Sequence, residues 1–298
     1  MKIPLFIITL ALIHYHIHAQ VNTTEQFWGK NINVLSIKPS ITDASIKNFD
    51  TPHLVLYNKN AKQGKILLYL PGSNGIATNG PKALLATALQ QGYRVISLSY
   101  VNSPAVSTTC IKENLASDVD CAEKFRIKRI YGKNVTNLIN DEPQDAIMNR
   151  FQKLLLYLAA NDKNGNWNMY LNQGNIKWEL VAISGQSQGG GMAAFIAKQV
   201  LVDRVISFSG GWDYSAKNQI AKWYYAKSIT PAQRWYATYH VEEPTAKIID
   251  QTYRAMAIPN EHIYPLNLNV PSGRKAHGQG ISNVAYKEIW LKVLGNGN

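Results

Sequence analysis

Cysteine is nearly absent from this chain of 298 residues, which carries two, Cys110 and Cys121. Two thiols without an accompanying histidine pair make no zinc set, and the CxxC spacing of redox enzymes does not occur, so no metal or cofactor is expected. Acidic residues are scarce too, 19 against 31 lysines and arginines, for a formal charge of +12. Such a balance favours anionic partners, but the lysines are dispersed and no nucleic-acid-binding module is present. The charge therefore reads as a solubilising surface, and nucleic acid is excluded as an expected partner. Beyond the first twenty residues no apolar run is long enough to span a bilayer, so no stable membrane insertion is expected. Repeats, low-complexity tracts and linker-like stretches are missing as well, which leaves one domain as the simplest organisation.

At the N-terminus, MKIPLFIITLALIHYHIHAQ places Lys2 before an apolar run and ends that run near the small residue Ala19. This is the layout of a signal peptide over 1–19, with 20–298 as the mature domain, secreted to an extracellular or periplasmic space. In such an oxidising compartment Cys110 and Cys121 are expected to pair. Asn22 (NTT) and Asn134 (NVT) fit the glycosylation pattern.

From residue 51 onward, short apolar runs ending in glycine or small polar residues alternate with helical patterns, the mark of a mostly parallel sheet with helices on both faces. Strands are expected at 53–57 (HLVLY) and 65–70 (KILLYL), as an antiparallel pair, and at 93–99, 178–184, 205–209, 235–240 and 262–268. Helices are expected at 81–91, 142–160 and 284–294. The stretch 101–142 is polar, holds both cysteines and shows no sustained period, so it reads as a long irregular segment of functional or stapled character.

The strongest chemical signal is Gly185-Gln186-Ser187-Gln188-Gly189, a G-x-S-x-G match between an apolar strand and a helical run. Glycines two residues either side of the serine relieve collisions in a sharp turn, and Gly190 and Gly191 are expected to let the helix pack closely on the sheet. A serine hydroxyl needs a base to take its proton. His277, in the polar stretch PSGRKAHGQG after the last expected strand, is the best placed candidate; His240 and His262 lie in or beside strands. The acid that orients the base should follow the strand before the last, where the chain reads Tyr239-His240-Val241-Glu242-Glu243-Pro244. Glu243 is favoured, with Glu242 second and Asp213 third. Trp212, Trp223, Tyr224 and Tyr225 follow the strand after the elbow and either line a substrate pocket or cover the sheet edge.

Over roughly 51–294 the chain resembles the alpha/beta-hydrolase superfamily, in particular its secreted esterase-, lipase- and dienelactone-hydrolase-like members. The resemblance implies an alpha/beta-hydrolase fold and a carboxylic ester hydrolase acting through an acyl-enzyme on a small-molecule or polymeric ester. It also implies oxyanion-hole N–H groups at Ser73, in Leu70-Pro71-Gly72-Ser73, and at Gln188. The chain departs from the usual pattern in Pro71 for histidine, Gln186 for the histidine before the serine, and glutamate for aspartate as the acid. An acyltransferase or peptidase on the same fold, and a binding protein without activity, are the competing readings. The retained serine, histidine and acidic pair argue against lost activity.

Overall fold

The computed structural model describes residues 27–61, 64–217, 219–270 and 274–298. The expected signal peptide, its cleavage point and Asn22 lie outside the described residues. Eight strands form one sheet: β1 (Ile32–Ile37), β2 (His53–Asn58), β3 (Ile66–Leu70), β4 (Arg94–Ser97), β5 (Val181–Gln186), β6 (Arg204–Phe208), β7 (Trp235–His240) and β8 (Ile263–Leu266). Their spatial order is β1-β2-β4-β3-β5-β6-β7-β8. β1 and β2 are antiparallel to their neighbours, and every pair from β4 through to β8 is parallel. Besides a single turn at Pro39–Thr42, the α-helices of the described residues are α1 (Lys82–Gln90), α2 (Val106–Thr109), α3 (Lys112–Ser117), α4 (Cys121–Tyr131), α5 (Ile147–Asn161), α6 (Gln188–Gln199), α7 (Ala246–Ala255), α8 (Arg274–His277), α9 (Gln279–Ser282) and α10 (Lys287–Leu294).

The central strands are apolar on both faces because helices cover both. β3 reads ILLYL with all five residues buried, and β5 buries Val181 through Gly185, as parallel strands between two helical layers require. One core lies under α4, α5 and α6, with Phe151, Leu154, Leu155 and Leu158 of α5 turned into it. The other lies under α1 and α10, around Leu84, Leu85, Trp290 and Leu294. No helix of the described residues is long and apolar enough to cross a membrane.

Two expectations are corrected. β2 and β3 do not pair with each other; β4 lies between them, antiparallel to β2 and parallel to β3. The stretch 101–142 is not irregular either, because it holds α2, α3 and α4. Cys110 caps the C-terminus of α2 and is bonded to Cys121 at the start of α4, with 5.6 Å between their Cα atoms. Two buried ion pairs hold this segment, Arg129 on Asp141 at 2.8 Å and Arg126 on Asp213 at 2.6 Å, and a third, Arg150 on Asp145 at 3.0 Å, lies just beyond it. Helices this short do not persist alone; the staple and the ion pairs keep them in place.

Replacing Cys110 and Cys121 together by serine is expected to lower stability by about 3 kcal/mol, the loop-entropy contribution of so short a closed loop. Urea unfolding of the oxidised wild type against the double variant measures it.

His53, at the start of β2, is fully buried, and its Nδ1 accepts the Ser99 N–H at 2.9 Å. Burial, with the nearby Arg150 charge, depresses its pKa to about 3. Below pH 6.5 the unfolded chain binds a proton that the folded chain refuses, so stability declines as pH falls from about 6.5 toward 3. His53→Gln keeps an acceptor for the Ser99 N–H but cannot titrate. Between pH 6.5 and 4.5 it should lose about 2 kcal/mol less stability than the wild type in urea titrations at the two pH values.

Candidate active site

Ser187 stands between β5 and α6 with φ 56° and ψ −123°, a conformation that side chains other than glycine's rarely adopt. Its N–H donates to Phe208 O at 2.9 Å, and its carbonyl accepts from Gly191 N at 3.1 Å. Both bonds fix the turn from outside it. The flanking glycines are required by contact. A Cβ on Gly185 would stand 2.3 Å from the Gly189 carbonyl carbon, and one on Gly189 would stand 2.0 Å from the Leu70 carbonyl oxygen. The start of α6 thus rests directly on the backbone at the end of β3. Gly190 faces the sheet as expected, against Gly210 and Ser207, whereas Gly191 faces the Arg126 guanidinium instead.

The loop after β3 brings Ser73 to the same side as Gln188. Both line one small cavity with Ser187, Val106, Ser107, Arg126, Gly211, Trp212 and Asp213. Gln188 is the first residue of α6, so its N–H has no partner within the helix. A residue not singled out from sequence holds these two segments together. Asn102, fully buried, accepts the Asn74 N–H on Oδ1 at 3.1 Å and donates from Nδ2 to Gly75 O at 2.6 Å. Its own carbonyl accepts the Gln188 side-chain amide at 2.7 Å, and the other end of that amide accepts Val106 N–H at 2.9 Å. Tyr100 donates its hydroxyl to Pro71 O at 2.7 Å. Burial pushes the Tyr100 phenol well up, so it remains a neutral donor.

His277 lies in the short helix α8 and not in an irregular loop, and its ring Nδ1 is 2.6 Å from Glu243 Oε2. Glu243 is buried where the chain leaves β7, and its second oxygen accepts the Ser209 hydroxyl at 2.5 Å and the His240 N–H at 2.8 Å. With three donors on one carboxylate, the acid is oriented on both sides; Ser209 was not singled out from sequence. The edge of the Trp212 indole packs on the His277 ring, centroids 5.4 Å apart. Gln186 Nε2 donates to the His277 carbonyl at 3.3 Å, tying α8 to the residue before Ser187. The structure therefore joins His277 to Glu243 and both segments to the elbow, while Ser187 Oγ and the His277 ring make no hydrogen bond to each other.

The other candidates do not join this arrangement. Asp213 binds Arg126 through both oxygens, at 2.6 and 2.8 Å, and accepts the Trp223 indole N–H at 2.9 Å. Its own N–H donates to the Tyr224 hydroxyl at 3.1 Å. Glu242 approaches His240 only through its backbone N–H, at 3.2 Å. His240 hydrogen-bonds Leu268 O and His262 hydrogen-bonds Trp235 O. Of the four aromatic residues, Trp212 lines the cavity, Trp223 and Tyr224 buttress Asp213, and Tyr225 is exposed.

A serine on a strained strand-to-helix turn, at the carboxyl end of the fifth strand of a 1-2-4-3-5-6-7-8 sheet with an antiparallel second strand, defines the alpha/beta-hydrolase fold. No family model and no curated protein matches the sequence. Among solved structures the chain is similar to a bacterial heroin esterase (13% identity over 96% of this chain and 91% of the other, TM-score 0.48). It is also similar to carboxyl esterase 2 of the mycorrhizal fungus Tuber melanosporum (10%, 90% and 88%, TM-score 0.48). A third is a dienelactone hydrolase from Anabaena variabilis (13%, 88% and 98%, TM-score 0.45). Likeness at this level identifies no activity; strand order and direction carry the fold.

Gly189→Ala is expected to cost about 3 kcal/mol or more, since its Cβ meets main chain that no side-chain rotation can clear. Gly191→Ala meets a side chain instead, the buried guanidinium that Asp213 holds, which can shift only in part, and with the helix preference for alanine as an offset it should cost about 1–2 kcal/mol, less than Gly189→Ala. Urea midpoints of the two variants test the difference.

Proposed function

We propose that the protein is a serine esterase with Ser187 as nucleophile, His277 as general base and Glu243 as the acid that orients it. The observation that carries this reading is the 2.6 Å contact from His277 Nδ1 to a buried, doubly anchored Glu243, in a fold that holds Ser187 on a strained turn. With Nδ1 donating to Glu243, the ring's Nε2 is the acceptor for the serine proton. The His277 side chain is 27% exposed, so its ring is not packed in on every side, and the link to Ser187 Oγ is expected to form with substrate in place. Such links are commonly long before substrate arrives.

In the reaction, Ser187 Oγ attacks the acyl carbon as its proton passes to His277 Nε2. The tetrahedral oxyanion sits between the N–H groups of Ser73 and Gln188, each worth about 3 kcal/mol of transition-state stabilisation. The ester C–O bond then breaks and His277 returns the proton to the leaving alcohol. Water attacks the acyl-enzyme with His277 again taking the proton, which goes back to Ser187 Oγ as the acid departs. Ester and water become acid and alcohol with no co-reactant. Chain export, with removal of 1–19, belongs to the same reading and is supported by the Cys110–Cys121 bond. The substrate class is a small-molecule or polymeric ester.

Ser187→Ala and His277→Ala should each lower kcat/KM for p-nitrophenyl esters at least about 10⁴-fold, and the double variant no further than the worse single one. Glu243→Gln should cost roughly 10² to 10⁴-fold, and Glu242→Gln less than about twofold. Wild-type turnover in Ser187→Ala would sink the reading, whereas a crippled Glu242→Gln beside an active Glu243→Gln would reassign the acid alone.

A further inference from the structure

The cavity beside Ser187 has one wall that the proposed reaction does not use. Arg126, on α4, is 1% exposed and borders the cavity together with Ser187, Gln188 and Trp212. Most of its guanidinium is committed. Nε and Nη2 bind the two oxygens of Asp213, and the plane lies over the Trp223 ring, 5.2 Å from its centroid. Nη1 is different: it is buried and has no hydrogen-bond partner among the described residues. A buried charged donor without an acceptor is costly to maintain, and of the side-chain nitrogens and oxygens left in that state, Nη1 belongs to the residue that lines the candidate site.

Its place relative to the nucleophile follows from the helix. A Cβ on Gly191 would stand 2.8 Å from Nη1 and 2.5 Å from Nη2, so the guanidinium rests on α6 one turn beyond Ser187. One turn is about 5.4 Å of rise, the span of an acyl carbon and the next two or three atoms of its chain. Among the described residues the wall of this cavity does not include His277, which hands its proton to the leaving alcohol. The group that fills the cavity is thus the acyl part. Charge decides what that group carries. Arg126 and Asp213 form a neutral pair, so a carboxylate would leave a net negative charge in a buried pocket, at a large desolvation cost. A hydroxyl, keto or ether oxygen accepts from Nη1 without that cost.

Resting on the esterase reading above, we propose that Arg126 determines acyl specificity, its unpaired Nη1 selecting short acyl chains with a neutral oxygen acceptor over plain alkyl chains of equal length.

The test compares p-nitrophenyl methoxyacetate with p-nitrophenyl butyrate, which have the same number of chain atoms, each kcat/KM being divided by the rate constant for hydroxide hydrolysis of that ester. In the wild type the corrected ratio should favour methoxyacetate roughly tenfold to a hundredfold. It should fall toward one in Arg126→Met/Asp213→Asn, which removes donor and counter-charge together so that no lone charge stays buried. It should also fall in Gly191→Ala, which retains both Arg126 and Asp213 but whose Cβ displaces the guanidinium and loosens its pairing with Asp213. Each ratio is read within a single protein, so losses common to both esters cancel. A corrected wild-type ratio near one, with turnover abolished by Ser187→Ala, overturns this inference and leaves the esterase reading standing. A high ratio that both variants keep also overturns it. Turnover that survives Ser187→Ala overturns the esterase reading, and this inference with it.

Discussion

Helix α6 begins so close to the sheet that no side chain can stand between them. The first turn lies on the carbonyl groups that end β3, and a single methyl group on Gly189 would stand 2.0 Å from one of them. That approach forces Ser187 into a left-handed conformation and turns its side chain out of the sheet. It also brings the first N–H of α6 beside the loop that carries Ser73, and it leaves Gly191 as the shelf on which Arg126 rests. The proposed nucleophile, the proposed anion-binding groups and the cavity wall are all referred to one steric contact. Errors in any of them are limited by the stiffness of packed backbone and not by side-chain rotamers.

A second set of constraints is ionic. Arg126, Arg129 and Arg150 are buried and each is met by an aspartate. Pairs of this kind add little net stability against an apolar alternative, but removing one partner costs about 3–5 kcal/mol because the other charge is stranded. They act as locks on geometry. Arg150 also reaches the carbonyls of Phe49 and Ser99, so α5, the strand ends and the segment before β2 meet on one guanidinium. Part of the positive charge counted from the sequence is consumed inside the molecule and is not displayed on its surface.

How much of this could be read from residues alone depended on the range of the interaction. The elbow was legible because its signal is local: an apolar strand, G-x-S-x-G, then a helix, all within 181–199. Glu243 and His277 could be found by chain order and by their positions after β7 and β8, although 34 residues separate them. The pairing of β2 was misjudged because strand order is a long-range choice, and a sequence-adjacent hairpin competes on equal local terms with β4 inserted between. The helices of 101–142 escaped notice since they are short and weakly periodic; tertiary contacts, not propensity, hold them. Asn102 and the Arg126–Asp213 pair left no local trace, the latter spanning 87 positions.

The segment between β4 and α5 also separates two kinds of inheritance. Val106, Ser107 and Arg126 come from it, while the serine, histidine and glutamate come from the ends of β5, β7 and β8. Its two cavity-forming helices, α2 and α4, are clipped together by Cys110–Cys121. A lineage could therefore vary this one contiguous segment, clip included, and change what the pocket admits, provided it kept Asn102 and a partner for Asp213. Relatives of this chain would then diverge fastest in diet and slowest in chemistry.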